Sequence, residues 1–294
     1  MTNKVQVVIE SRAKDLGDNF TVSRVLPWSK KRMVGPFIFL DHMGPVHFAK
    51  DHKLTVNPHP HIGLSTLTYL FKGRIHHRDS LGSSQVIIPG EVNWMTAGKG
   101  ISHSERTPED DLGHETDVHG LQFWVALPDH LEEIEPSFIN YKNQEIPKFE
   151  TNEAVIDVIV GDYHGKKSPV AAYSPVTFLN ILATKEFLFK YDPGTFEVAL
   201  YLINGSVKVG EVTYQNHEMI VFEPGSKIEA LISEGSHCAL IGGESFPNAK
   251  YIWWNFVSSS KEKMAQARDN WNAGNFPHVT NDSGKIMAPL DHIV

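Results

Sequence analysis

Short apolar segments separated by glycine and proline turns run through most of the chain. Residues 64–71 (LSTLTYLF) favour a strand and are followed by Gly73, and residues 85–88 end at Pro89-Gly90. Predicted strands cover residues 5–9, 37–41, 64–71, 85–88, 92–95 and 118–127, and then 154–160, 176–183, 197–203, 207–209, 219–222, 227–232 and 238–241. Because these segments are short and regularly spaced, the pattern indicates an all-β sandwich or barrel architecture.

The two series of strands are separated by residues 127–147, which contain three prolines and no strong apolar period. This segment is the best candidate for a linker. We therefore expect two β-domains of similar size, residues 1–135 and 148–257, followed by a helix and tail over residues 258–294.

One short helix is predicted near the C-terminus. Ser259 and Glu262 have the spacing of a capping box, and Gly274 stands where a helix would end. Between them, three apolar side chains recur at helical spacing: Met264, Ala267 and Trp271. This spacing predicts a helix with one face buried in a core.

Charge and cysteine content narrow the classes of function. The 294 residues carry a net charge of −8, and the densest basic run is the three residues 30–32, so direct nucleic-acid binding is not expected. The single cysteine, Cys238, excludes an intrachain disulfide and favours a reducing compartment. Because the sequence has no signal-peptide core at its start and no apolar run of about 20 residues, we expect a cytoplasmic protein without membrane contact.

Two short motifs indicate metal chemistry: His59-Pro60-His61 and His103-Ser104-Glu105. Side chains two residues apart on a strand point to the same face, so each motif would direct two ligands into one space. Three imidazoles and one carboxylate suit Fe(II), Mn(II), Ni(II), Cu(II) or catalytic zinc. A structural zinc site is disfavoured because no thiolate belongs to the group.

The segments around these motifs resemble the pirin family of the cupin superfamily. The similarity is carried by HPHIG at residues 59–63, HRDSLG at 77–82 and WMTAGKGISHSE at 94–105, and it is strongest over residues 35–127. The resemblance implies a bicupin: two cupin-type β-barrels, with a metal in the N-terminal barrel only. Carried over to this sequence, the implied metal ligands are His59, His61, His103 and Glu105, and the implied metal is Fe(II).

The resemblance leaves two kinds of function open. One is a quercetin 2,3-dioxygenase-type oxidoreductase that uses dioxygen to open a small aromatic substrate, a flavonol such as quercetin. Glu105 would then have a catalytic role, either as a ligand or as the acceptor of the substrate proton. The alternative is a non-enzymatic, iron-dependent redox sensor or transcriptional cofactor that binds a protein partner. In the second half His164, His217 and His237 are isolated, which favours a metal-free second barrel.

Overall fold

The computed structural model describes residues 2–17 and 20–291, and antiparallel strands make up most of it. The strands of the first half are β1 (Val5–Glu10), β2 (Arg12–Asp15), β3 (Thr21–Leu26), β4 (Phe37–Phe48), β5 (Thr55–His61), β6 (Leu64–Lys72), β7 (Ile75–Asp79), β8 (Ser84–Ile87), β9 (Val92–Thr96), β10 (Ile101–Arg106), β11 (Thr116–Ala126) and β12 (Ser137–Tyr141).

The second half continues with β13 (Lys148–Glu150), β14 (Ala154–Val160), β15 (Asp162–Tyr163), β16 (Lys166–Lys167), β17 (Val176–Ala183), β18 (Phe187–Tyr191), β19 (Glu197–Asn204), β20 (Val207–Val209), β21 (Val212–Tyr214), β22 (Glu218–Phe222), β23 (Ile228–Ile232), β24 (His237–Gly243), β25 (Tyr251–Trp253) and β26 (Phe256–Ser258). Helix α1 (Lys261–Asn272) is the one α-helix among the described residues.

The chain divides into two compact units. The companion unit comprises Met1–Lys14, Ser23–His42 and Gln144–Phe246, and the histidine unit comprises Asp15–Val22, Met43–Asn143 and Pro247–Val294. The predicted ranges 1–135, 148–257 and 258–294 are each one continuous stretch of sequence, whereas each of these two units combines three separate segments. β1 pairs with β22 in the companion unit, and α1 belongs to the histidine unit.

The companion unit has a core between two sheets. Its sheets have the strand orders β1-β22-β19-β24-β17-β14-β13 and β18-β23-β20-β21. Ile156 and Leu179 from the larger sheet share one buried cluster with Phe189 and Ile232 from the smaller one. Strand β23 of the smaller sheet alternates buried and more exposed residues, as expected for a sheet with one face towards a core, whereas β14 and β17 of the larger sheet are buried over most of their length.

The histidine unit is built in the same way. One sheet contains the consecutive strands β12-β9-β6-β11-β4, and the other has the order β5-β10-β7-β8. Leu70 and Val118 from the first sheet pack with Ile75 and Ile87 from the second in one buried cluster. Strand β5 lies at an edge of its sheet, which matters for the site described below.

Helix α1 buries the face that the sequence predicts. Met264, Ala267 and Trp271 are buried and pack in a cluster with Ile62 and Phe256. This cluster joins α1 to the end of β5 and to strand β26. The predicted burial of the helix face is therefore confirmed.

The predicted capping box is wrong by one residue. Ser260 is the N-cap, and its side chain accepts a hydrogen bond from the Lys263 backbone N–H. The hydroxyl of Ser259 donates instead to Glu132, which holds that residue outside the helix. Gly274 follows the helix with φ +81°, a conformation that glycine adopts without steric cost, as expected for a helix end.

The predicted linker is also more ordered than expected. Residues 127–147 include β12, which pairs with β9 so that Phe138 lies opposite Met95. The strand covers five residues, too few for a clear period, and its partner is distant in sequence. Within residues 2–17 and 20–291, no helix has the length and apolar character needed to cross a membrane.

Candidate metal centre

Three histidines from two neighbouring strands meet in the histidine unit. His59 and His61 lie on β5, and His103 lies opposite His59 on the antiparallel strand β10. One ring nitrogen of each lies within 4.8 Å of the others, and the Nε2 atoms of His61 and His103 are 3.1 Å apart. The structure therefore brings together three of the four predicted ligands.

All three rings are buried, with 7%, 1% and 2% of His59, His61 and His103 exposed. Loss of hydration disfavours the imidazolium form and lowers the pKa of His59 to about 4. The same desolvation holds the pKa values of His61 and His103 well below 6.5. At neutral pH the three rings are uncharged, which is the form that binds a metal.

Two backbone carbonyls determine which ring nitrogens carry protons. His59 Nδ1 lies 2.9 Å from the Asn57 carbonyl oxygen, and His61 Nδ1 lies 3.0 Å from that of Asn255. A carbonyl oxygen only accepts, so each Nδ1 must donate, and each Nε2 keeps its lone pair. Such backbone partners typically orient metal-binding histidines, and the donor set fits a divalent transition metal.

The Asn255 carbonyl is placed by a close approach of two backbone segments. Ile62 forms a bridge with Phe256, the first residue of β26. Gly63 follows with φ +66°, and a Cβ atom there would lie 2.0 Å from the Val257 carbonyl oxygen. Only glycine fits at this point, and its small size lets the β25–β26 turn reach the end of β5.

Glu105 lies outside the group of three nitrogens. It is two residues after His103 on β10 and lies opposite His77 of β7, with a register irregularity against β5 between His103 and Glu105. Its side chain is half-buried and forms no hydrogen bond with the described residues, and burial raises its pKa to about 7. Its role as fourth ligand remains a prediction.

Aromatic side chains and a second hydrogen-bonded pair surround the histidines. Trp124 contacts His61 edge-on, with ring centroids 5.0 Å apart, and Phe138 stacks on His77 at 4.3 Å. His77 in turn contacts Asp79. Sequence reasoning missed Phe138, because it lies in the predicted linker.

The isolated histidines of the second half have other surroundings. His237 Nε2 lies 2.6 Å from Asn180 Oδ1, and the His164 ring stacks on Phe149 at 4.8 Å. Both belong to the companion unit. That this unit binds no metal stays a prediction.

Family comparisons identify the scaffold that carries the three histidines. A pirin model matches residues 19–125, and a model of the pirin C-terminal cupin domain matches residues 178–277. The chain belongs to the pirin family. Both the predicted family and the predicted fold class, all-β with two cupin domains and a short C-terminal helix, are thereby confirmed.

Individual relatives and a solved structure show how far this similarity extends. A pirin-like protein of Caulobacter vibrioides is 44% identical, with 96% of this chain and 98% of the relative covered. The pirin of Homo sapiens is 29% identical, with 90% and 91% covered. A crystal structure of quercetin 2,3-dioxygenase from Acinetobacter baumannii is 36% identical, has a TM-score of 0.90, and covers 97% of this chain and 95% of its own.

Proposed function

We propose that this pirin-family protein is a metal-dependent dioxygenase that opens a flavonol such as quercetin. The observation that carries the proposal is the convergence of three buried, neutral imidazoles, two of them with Nε2 free to bind a cation. The similarity along nearly the whole chain to a structure described as a quercetin 2,3-dioxygenase supports the choice of reaction.

The proposed ligands are His59, His61, His103 and Glu105, and the proposed metal is Fe(II). Imidazole and carboxylate donors suit this ion, and no thiolate lies in the group. When bound, the metal would favour loss of the flavonol hydroxyl proton and bring dioxygen next to the resulting anion.

The residues of the chain supply the rest of the site. Within residues 2–17 and 20–291 no group hydrogen-bonds to the Glu105 carboxylate, so it is the group we assign to bind the cation or to accept the substrate proton. The three imidazoles are themselves buried, so bulk water has little access to a cation held between them. Trp124 and Phe138 add flat apolar surfaces near the histidines, which suit an aromatic ligand.

The test combines metal analysis with oxygen uptake. Protein purified without oxygen and loaded with Fe(II) should consume dioxygen when quercetin is added. We expect His61→Ala to lose both bound iron and oxygen uptake, and Glu105→Gln to lose uptake. The control is His76→Ala, because His76 lies on β7, bonds to Ser84 Oγ and is outside the ligand group.

Two results would contradict the proposal. One is undiminished turnover in metal-free protein. The other is a protein that binds iron stoichiometrically but consumes no dioxygen with any flavonol. Oxidation-dependent binding of a protein partner, measured on the same iron-loaded sample, would then favour the redox-sensor alternative.

A further inference from the structure

A buried chain of contacts leads away from the third ligand. His103 Nδ1 lies 3.4 Å from His77 Nδ1, and His77 Nε2 lies 3.0 Å from Asp79 Oδ2. The three residues lie on the adjacent strands β10 and β7, and at most 4% of each is exposed. Water therefore does not compete for these contacts.

The donor and the acceptor of each hydrogen bond in this series of contacts can be assigned by starting from Asp79, the residue farthest from the proposed metal ligand. Asp79 Oδ1 accepts from the backbone N–H groups of Leu81 and Ser83, at 2.9 Å and 3.0 Å. Asp79 Oδ2 also accepts, so His77 must carry its proton on Nε2. With the His77 proton on Nε2, its Nδ1 can offer a lone pair 3.4 Å from His103 Nδ1 and accept the proton carried there.

The position of this proton decides whether His103 is available as a ligand. Its Nε2 faces Nε2 of His61, which already has its proton on Nδ1, facing Asn255. If His103 carried its proton on Nε2, it would donate to His61 and block both lone pairs. With the proton on Nδ1, the two lone pairs face each other at 3.1 Å, an arrangement that a cation stabilises.

We propose that Asp79 and His77 are positioning residues that hold the proton of His103 on Nδ1 and so keep its Nε2 open for the metal. This role rests on the metal site proposed above. The proton of His103 is positioned by side chains, whereas the protons of His59 and His61 are positioned by backbone carbonyls. A substitution can therefore move the His103 proton to the other ring nitrogen.

Asp79→Asn is the sharpest substitution. The amide oxygen keeps the bonds from Leu81 and Ser83, and the amide NH₂ group turns towards His77 Nε2. His77 must then accept at Nε2, carry its proton on Nδ1 and donate to His103. The proton of His103 moves to Nε2, where it competes with the metal, and we expect Fe(II) affinity to fall about 10–100-fold.

Two measurements separate this role from a general structural one. The first is anaerobic titration of metal-free protein with Fe(II) against a competing chelator. The second is ¹⁵N NMR of histidine-labelled metal-free protein, with His103 assigned from the spectrum of His103→Ala. We expect Nδ1 of His103 to be protonated in the wild type and Nε2 in Asp79→Asn, whereas His76→Asn should change neither measurement.

A second pair of variants covers the case in which Asp79→Asn does not fold. His77→Gln offers an amide oxygen that can accept from His103 Nδ1, so it should retain more Fe(II) affinity than His77→Leu. Equal affinity in the wild type, Asp79→Asn and His77→Leu, or a wild-type His103 protonated on Nε2, would overturn the inference. A wild type that binds no Fe(II) would instead refute the metal site itself.

Discussion

Glu132 is a buried carboxylate that fixes the β25–β26 hairpin, and its removal is expected to destabilise the histidine unit. Its side chain is 2% exposed and lies 2.5 Å from Nζ of Lys250, which also contacts Asp129. It accepts three more hydrogen bonds, from Ser258 Oγ and from both N and Oγ of Ser259. The segment 127–147, predicted as a linker, thus anchors the hairpin.

The expected loss in free energy of unfolding follows from the burial of both charges, those of Glu132 and Lys250. Removing one partner of a buried ion pair costs about 3–5 kcal/mol, because the other charge stays buried without compensation. Glu132→Leu leaves Lys250 with Asp129, which is 37% exposed, so we expect the lower end, about 3 kcal/mol. Lys250→Met should lower the free energy of unfolding by a similar amount. The loss in the double variant should be about 1–3 kcal/mol smaller than the sum of the losses in the two single variants.

Tryptophan fluorescence during urea unfolding of metal-free protein can measure these changes. Five of the six tryptophans belong to the histidine unit, so the signal reports mainly on this unit: Trp94, Trp124, Trp253, Trp254 and Trp271. The matched control is Glu133→Gln, because Glu133 pairs with Lys263 at the surface and should contribute less than about 1 kcal/mol. Costs below about 1 kcal/mol for both buried variants, or strict additivity, would refute the reasoning.

Three further predictions concern the histidine unit and the lone thiol. Burial raises the pKa of Asp282, but the hydrogen bonds that its carboxylate accepts and the charge of Arg106 together outweigh this effect and hold the pKa below 3.8. Asp282→Asn should therefore lower the free energy of unfolding in urea by about 1–3 kcal/mol at pH 7, and this difference should disappear as the pH falls through the depressed pKa. Gly63→Ala should cost at least about 3 kcal/mol, whereas Gly82→Ala, with φ +88° but open space around it, should cost about 1–2 kcal/mol. Burial raises the pKa of Cys238 to about 12, so an aromatic disulfide reagent should react with it only after unfolding, and rapid labelling of native protein would contradict this.

Long apolar segments are the part of the fold that the sequence predicts best. The runs at 154–160 and 176–183 coincide with β14 and β17, because both strands are buried over most of their length. The sequence does not predict the short strand β12, and it places the cap of α1 one residue too early. In both cases the deciding contact comes from a distant residue, Met95 opposite Phe138 and Glu132 bonded to Ser259.

In the candidate site too, the sequence predicts the local features but not the contacts between distant residues. The i and i+2 spacing of His59 and His61 is local, so the sequence predicts that both side chains share a face. The partner that leaves His61 Nε2 free is the Asn255 carbonyl, 194 residues away. Because every residue has a backbone carbonyl, no side-chain pattern can indicate which one is used.

The edge position of β5 explains why residues far along the chain are needed at this site. An edge strand has backbone groups without a neighbouring strand on one side, and folded proteins often cover such an edge with another segment. Here the C-terminal segment covers it: Ile286 N–H donates to the Pro58 carbonyl oxygen at 2.9 Å, and Arg106 bonds both Asn57 and Asp282. These contacts involve the two residues that directly precede His59 on the strand that carries two of the three histidines. The candidate metal centre therefore depends on the tail as well as on the two motifs, and weakening the Arg106–Asp282 contact should lower both the stability of the protein and its affinity for the proposed Fe(II).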